Sequence, residues 1–295
     1  MLAVKTLKSD SNIFRHDAWL MGNQFEISVV ATDAVHAGEQ INAAIAEINR
    51  VEKLLSGLTD SSQINEINRN AGVKPVKVDA EIFRLIDRAL QVSELTHGAF
   101  DITYIADSRA ENHSNHNNYK NVVLDAANVT VLLKEKNMRI SLASMSKDYA
   151  ADRAKYVLQL AGVSSGVINA GGSLLTWGAQ PDHEPWTIAT AAPQQQDHPC
   201  ANTPISNMCV STVVDAGKQV IANKKQPINA KSGFPVSEII SVSVISPTAE
   251  LSGALTGPVM AMGVNASLYL VNQLNQIACV IVDDHNRVYA SKGIN

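Results

Sequence analysis

The order in which hydrophobic periodicity changes along the chain constrains its fold more than any other feature. Gln24-Phe-Glu-Ile-Ser-Val-Val-Ala31 alternates apolar and polar residues, the period of a half-buried strand. Ile41, Ala44, Ile45, Ile48, Val51, Leu54 and Leu55 then recur at helical spacing, with Asp33 placed to cap the helix. A second helical stripe, Ile82, Leu85, Ile86, Ala89 and Leu90, starts near Asp79. Short strand patterns follow over 121–124, 129–134 and 138–142 with no helix between them. A helix from about Lys147 turns Ala150, Ala154, Val157, Leu158 and Ala161 inward, and strands are expected over 166–169, 174–178 and 186–191. The end reads as a strand over 238–245, helices over 249–262 and 266–274, and a hairpin turning at Asp283-Asp284-His285-Asn286. Strands that follow strands argue for an α+β fold with mixed or antiparallel sheets and packed helices, against a doubly wound parallel sheet. Ile45, Ile48, Leu85, Ile86, Val157 and Leu158 are expected in its core.

Composition narrows the class. With 295 residues, 45% of them hydrophobic and 18% charged, the chain has ample material for a core and is neither disordered nor fibrous. A net charge of −4 argues against nucleic acid as partner. No apolar run reaches the roughly 18 residues of a membrane span. Cys200, Cys209 and Cys279 are too few for a disulfide framework or a zinc cluster, and a Cys200–Cys209 bridge would need an oxidising compartment. Residues 1–10 lack the apolar segment of a signal peptide, so the protein is cytosolic or an export segment is missing from this chain. The stretch 179–206, with Pro181, Pro185, Pro193, Pro199 and Pro204, reads as a loop-rich excursion from one domain spanning 1–295.

Few residues point to chemistry by themselves. Asn169-Ala-Gly-Gly172 follows a strand pattern and would let a ligand approach the backbone, but lacks the spacing of a dinucleotide fingerprint or a P-loop. Thr96-His-Gly-Ala-Phe-Asp-Ile-Thr103 is a glycine-containing turn in which Asp101 is a polar anchor, a turn residue or a cap. His113 and His116 have a chelating spacing, yet four asparagines around them suggest an exposed loop. Asp283 and Asp284 are explained by a hairpin turn as readily as by a cation.

Taken in order, these pieces resemble one family, the ApbE-like FAD:protein FMN transferases. The matching segments are Met21-Gly22, Leu55-Ser56, Ser62–Asn68, Thr96–Thr103, Lys147–Asp152, Asn169–Gly172, Trp177-Gly178, Ser232–Pro235, Ala254-Leu255 and Val259–Gly263. The match to T-x-G-A-F-D-I-T at Thr96–Thr103 is the most specific, and the whole resemblance runs from about Arg15 to Ser291. It implies an ApbE-like, T-fold-related architecture. It also implies a magnesium-dependent reaction that cleaves the pyrophosphate of FAD, joins FMN to a threonine of a target flavoprotein and releases AMP. A metal in such a reaction neutralises charge on the phosphates and holds nucleotide and acceptor in line. Residues matching the family's flavin-nucleotide positions are Met21, Ala99, Phe100, Asp101, Lys147, Gly171 and Gly172. The family works outside the cytoplasmic membrane, often as an exported lipoprotein, which implies a periplasmic protein; if Met1 is the native start, it is cytoplasmic.

The chain departs from the pattern where the chemistry belongs. The family's metal-binding A-D-A-L-A-T is Ser252-Gly-Ala-Leu-Thr-Gly257 here, so Gly253 stands for the acid and Gly257 for the threonine. Thr256 lies one position off, about 100 degrees around a helix. H-I-I-D-P-x-T-G becomes Gln226–Gly233, and G-G-x-x-K-G-Y becomes Ala143–Tyr149 with only the Lys and the Tyr retained. In G-G-D the acid is Ser173, and in T-S-G the glycine is Val213. An aromatic expected near Leu58 is missing, and the segment after Thr103 is about twenty residues short of the pattern, without its tryptophan. A hard cation wants several oxygen ligands, which glycine side chains do not offer. The expectation is therefore a member with no side-chain metal site. It would bind a flavin nucleotide or act as a scaffold beside a target flavoprotein or an intact paralogue. The alternative is an active transferase with a rearranged site using Asp101, carbonyls near Ser144 and the FAD phosphates.

Overall fold

The computed structural model describes residues 12–56, 62–103, 118–191, 199–214 and 239–293. Strands β1 (Asn12–Leu20) and β2 (Asn23–Ala31) form a hairpin, and Asp33 caps α1 (Ala34–Leu55) by accepting the His36 amide at 2.9 Å. Next come α2 (Gln63–Arg69), β3 (Val76–Lys77), α3 (Ala80–Leu95), β4 (Val122–Asp125), β5 (Thr130–Leu133) and α4 (Ala143–Leu160). They are followed by β6 (Gly166–Ala170), β7 (Ser173–Trp177), β8 (Thr187–Ala191), β9 (Pro199–Pro204), β10 (Cys209–Val214) and β11 (Ile239–Ser246). Helices α5 (Ala249–Met262) and α6 (Val264–Val271) and strands β12 (Ala278–Asp283) and β13 (Val288–Ala290) complete the order.

Eight strands make one sheet in the order β1-β2-β6-β7-β10-β11-β12-β13, with antiparallel pairing throughout. A second sheet, β3-β5-β4, and the hairpin β8-β9 stand apart from it. The expectation of an α+β fold with antiparallel sheets and packed helices holds. Phe25, Ile27 and Val29 point from β2 into the core, where Ile41, Ala44, Ile48 and Val51 of α1 meet Ala150, Ala154 and Leu158 of α4. The alanines let the two helices approach closely, and apolar area removed from water contributes about 25 cal/mol per Å². Trp177 is buried and donates to the Val163 carbonyl at 3.1 Å. Residue 166 must be glycine, because a Cβ there would sit 2.6 Å from that indole ring.

Several expectations need adjusting. Residues 138–142 are not a strand: the Asn68 side chain pairs with both backbone groups of Ile140, at 2.8 and 3.0 Å, and replaces a neighbouring strand. Helix α4 begins at Ala143, four residues before Lys147. The Pro-rich stretch carries the β8-β9 hairpin. Strand β1 is unannounced because a sheet edge with polar Arg15-His16-Asp17 at its centre has no apolar alternation. Of the six expected core residues, Ile48, Leu85, Ile86 and Leu158 are fully buried, while Ile45 and Val157 are half-buried. No described helix is long and apolar enough to cross a membrane.

Candidate functional site

Two hairpin turns meet at one end of the large sheet. In the β6-β7 turn, Gly171 and Gly172 take φ of 54° and 103°, a left-handed region that favours glycine. The Gly171 amide donates to the Gln24 carbonyl at 3.1 Å, and a Cβ on Gly171 would lie 2.9 Å from the Asn23 side-chain oxygen. In the β1-β2 turn, Met21 has φ of 51°, and the Asn23 amide group donates to the Met21 carbonyl at 2.9 Å. Met21, Gly171 and Gly172, far apart in sequence, are thus neighbours.

Lys147 reaches the same corner from the second turn of α4. Its Nζ donates to Asp148 Oδ1 at 2.5 Å, to the Ala170 carbonyl at 2.6 Å and to Ser173 Oγ at 3.2 Å. Asp148 is 4% exposed and Lys147 is half-buried, so the pair is dry at the carboxylate and partly open to water at the ammonium. Ser173 also accepts from Ser211 Oγ at 2.8 Å, and Ser211 meets Ser252 Oγ of α5 at 2.7 Å. One polar chain therefore runs from α4 through β7 and β10 to α5.

The seating of α5 on α4 follows from a second carboxylate. Asp152 accepts the Ala249 and Glu250 amides at 2.9 and 2.8 Å, satisfying two donors at the start of α5. Burial pushes its carboxyl up to about 6 against these hydrogen bonds. One turn back along α4 is Asp148, and one turn forward along α5 is Gly253. These two also meet: a Cβ built on Gly253 would overlap Asp148 Oδ2. Two contacts spaced one turn apart on each helix mean that the starts of α4 and α5 run antiparallel and in register.

Ala99, Phe100 and Asp101 belong to a different turn. Thr96 Oγ1 accepts the Phe100 amide at 3.0 Å and donates to the Val92 carbonyl at 2.8 Å, and the Phe100 side chain is buried in the core. Asp101 accepts the Thr103 amide and hydroxyl at 2.8 and 2.7 Å and the Tyr119 amide at 3.0 Å. Burial raises its pKa against those three bonds. The turn is tied to the approach to α4 by the Ser141 amide, which donates to the Ile102 carbonyl at 2.9 Å. The structure therefore brings together Met21, Lys147, Gly171 and Gly172, and places Ala99, Phe100 and Asp101 in a turn that spends its hydrogen bonds on its own folding.

Asp148, Asp152, Ser211 and Ser252 escaped sequence reasoning. The signal for Asp148 was present, as an acid where the pattern K-G has glycine, but its meaning depends on α5. Among the other candidates, Asp283 accepts the His285 and Arg287 amides, the Arg287 side chain and the Tyr289 hydroxyl, as a hairpin turn requires. His113, His116, Leu58 and Gln226–Gly233 lie outside the described residues.

Among the described residues, the corner does not fit the magnesium ion that the resemblance implies. Gly253 has no side-chain ligand, and the space above it holds a carboxylate already paired with an ammonium. Gly257 faces open space, and the Thr256 hydroxyl donates to the Gly253 carbonyl at 2.8 Å, within its own helix. A divalent cation at this carboxylate would sit against the Lys147 charge, and like charges at contact distance repel strongly where water is excluded.

Comparison with known proteins agrees with this architecture. The model of the ApbE family matches residues 21–281. A FAD:protein FMN transferase of Klebsiella pneumoniae (strain 342) is 26% identical, covering 96% of this chain and 93% of its own. One from Salmonella typhimurium is 24% identical over 86% of this chain and 79% of its own. Among solved structures, the ApbE protein of Thermotoga maritima superposes with a TM-score of 0.80 at 22% identity, over 95% of this chain and 97% of that one. The flavinyl transferase ApbE of Pseudomonas stutzeri does so with 0.80 at 21% identity, over 96% and 95%. With the match spanning both hairpin turns, the turn after α3 and the α4–α5 corner, the chain belongs to the ApbE family.

Proposed function

We propose that this chain binds a flavin nucleotide at the corner between the two hairpin turns and does not transfer FMN. Binding is supported by the family and by four matching positions, Met21, Lys147, Gly171 and Gly172, that share one corner. The glycine turn leaves backbone accessible to phosphate oxygens. The absence of transfer rests on one observation: the carboxylate of the corner is bound to Lys147, and Gly253 and Gly257 add no ligand. Without a positioned cation, charge building on a pyrophosphate in the transition state is not offset where it develops. On this reading the protein partner is a target flavoprotein or an intact paralogue.

A second reading, an active transferase with a rearranged site, is favoured by Asp148 itself, since the corner does keep one carboxylate. Titration of the protein with FAD and with FMN, followed by flavin fluorescence, separates the readings when run with magnesium and with a chelator. Saturable binding of equal affinity under both conditions, with no AMP released from FAD, is expected. Magnesium-dependent release of AMP would establish the transferase, and no flavin binding under either condition would overturn both. The family resemblance also supports an exported location; fractionation of cells tests it, and recovery of the native protein from the cytosol would count against it.

A further inference from the structure

We propose that the Lys147 ammonium is a cation that this chain supplies to itself, occupying an oxygen-lined seat that accepts a free metal ion only when the ammonium is removed. An ammonium has three donors and no acceptor. Lys147 Nζ meets three oxygens of three kinds: a carboxylate (Asp148, 2.5 Å), a backbone carbonyl (Ala170, 2.6 Å) and a hydroxyl (Ser173, 3.2 Å). Oxygens of these kinds are also the ligands of hard cations. The seat is fixed without the lysine. The Ala170 carbonyl ends β6 ahead of the left-handed Gly171, Ser211 holds Ser173 Oγ at 2.8 Å, and Asp148 fills the space over Gly253.

Charge explains why a metal is shut out. Ser173 and Gly253 carry no charge, and among the described residues Asp148 is the one carboxylate touching the ammonium. The pair is neutral as it stands, so a divalent ion gains no net attraction and meets a fixed positive charge.

The inference rests on the geometry of the seat, goes beyond the flavin reading, and is tested without nucleotide. The probe is manganese, as a paramagnetic stand-in for magnesium. Its binding to the full chain is followed by electron paramagnetic resonance, and the thermal midpoint is measured with and without magnesium. The unaltered protein is expected to bind no manganese and to keep its midpoint. Lys147→Met is expected to gain about tenfold or more in manganese affinity and to be stabilised by magnesium. Adding Asp148→Asn should remove both gains. Lys147→Gln, which keeps a donor for Ala170, replaces the methionine variant if that one does not fold, and the same gains are expected. Manganese binding by the unaltered protein as tight as by either lysine variant would overturn the proposal. So would a folded lysine variant that gains none. Because no flavin is present, either result leaves the flavin titration to be decided on its own.

Discussion

In the turn after α3 the polar groups are spent close to home. Thr96 serves Val92 and Phe100, Asp101 serves Thr103, and among the described residues the Tyr119 and Ser141 amides come from further along the chain. The corner around Lys147 is assembled the other way. Its atoms come from α4, the end of β6, β7, β10 and α5: three consecutive elements, joined by two that follow later in the chain. The turn carries the most specific piece of the resemblance, Thr96–Thr103, while the corner holds Asp148, Ser173, Gly253 and Gly257, which the resemblance does not lead one to expect. A self-contained turn keeps its hydrogen bonds whatever the rest of the site does. A corner built from five elements depends on the packing of all five.

The sharpest way to break this contrast is to place an acid on α5 over Asp148. Gly253→Asp forces two carboxylates into one space, and a loss of about 4 kcal/mol in urea unfolding is expected. Adding Asp148→Gly should recover more than half of it, a coupling that a double-mutant cycle measures directly. Were Gly253→Asp as stable as the parent, the shared space of Asp148 and Gly253 would be wrong. Asp148→Ala leaves the ammonium with a carbonyl and a hydroxyl only, and about 3 kcal/mol should be lost, because breaking a buried pair strands a charge.

Asp152 tests the register that brings the two helices together. Its folded-state pKa of about 6 lies above the ordinary value, so the folded protein holds that proton more tightly than the unfolded chain. The stability this contributes is complete below about pH 4 and is lost as pH rises through about 6, a fall of about 3 kcal/mol. Asp152→Asn should flatten that part of the stability–pH profile; an unchanged slope would remove Asp152 from the account. In the self-contained turn, Thr96→Val leaves the Phe100 amide without its acceptor, and a loss of about 1.5 kcal/mol is expected with no change in manganese or flavin binding. The smallest effect is a gain. Gly257 is exposed and a Cβ there meets nothing within 4 Å, so Gly257→Ala should stabilise α5 by about 0.5–1 kcal/mol.

Much of the fold was legible because its signals are local. Asp33 and the stripe from Ile41 to Leu55 give α1, and the apolar alternation from Gln24 to Ala31 gives β2, to within a residue or two. The hairpin at Asp283–Asn286 was equally plain, since an acid followed by polar residues between two apolar runs closes its own turn. Strand β1 escaped because an edge strand half in water needs no alternation, and residues 138–142 misled because their strand-like pattern is satisfied by the Asn68 side chain. For the site, the glycine turn at 171–172 and Lys147 were visible as motif letters. That Gly253 and Gly257 offer no side-chain ligand was visible too.

The sequence by itself determined the α+β class, α1 with its Asp33 cap, the two glycine-bearing turns and the family, because each rests on spacing within one segment. Only the tertiary structure decided what Asp148 means. Its letter follows Lys147 in every reading, yet neighbours one apart on a helix do not normally face each other. What turns the two side chains to one point is the carbonyl of Ala170, the hydroxyl of Ser173 and the empty space over Gly253, which converge only when Asp152 seats α5 on α4. A charge pair depends on distance through space, and in this corner that distance is set by five elements whose packing no single segment encodes.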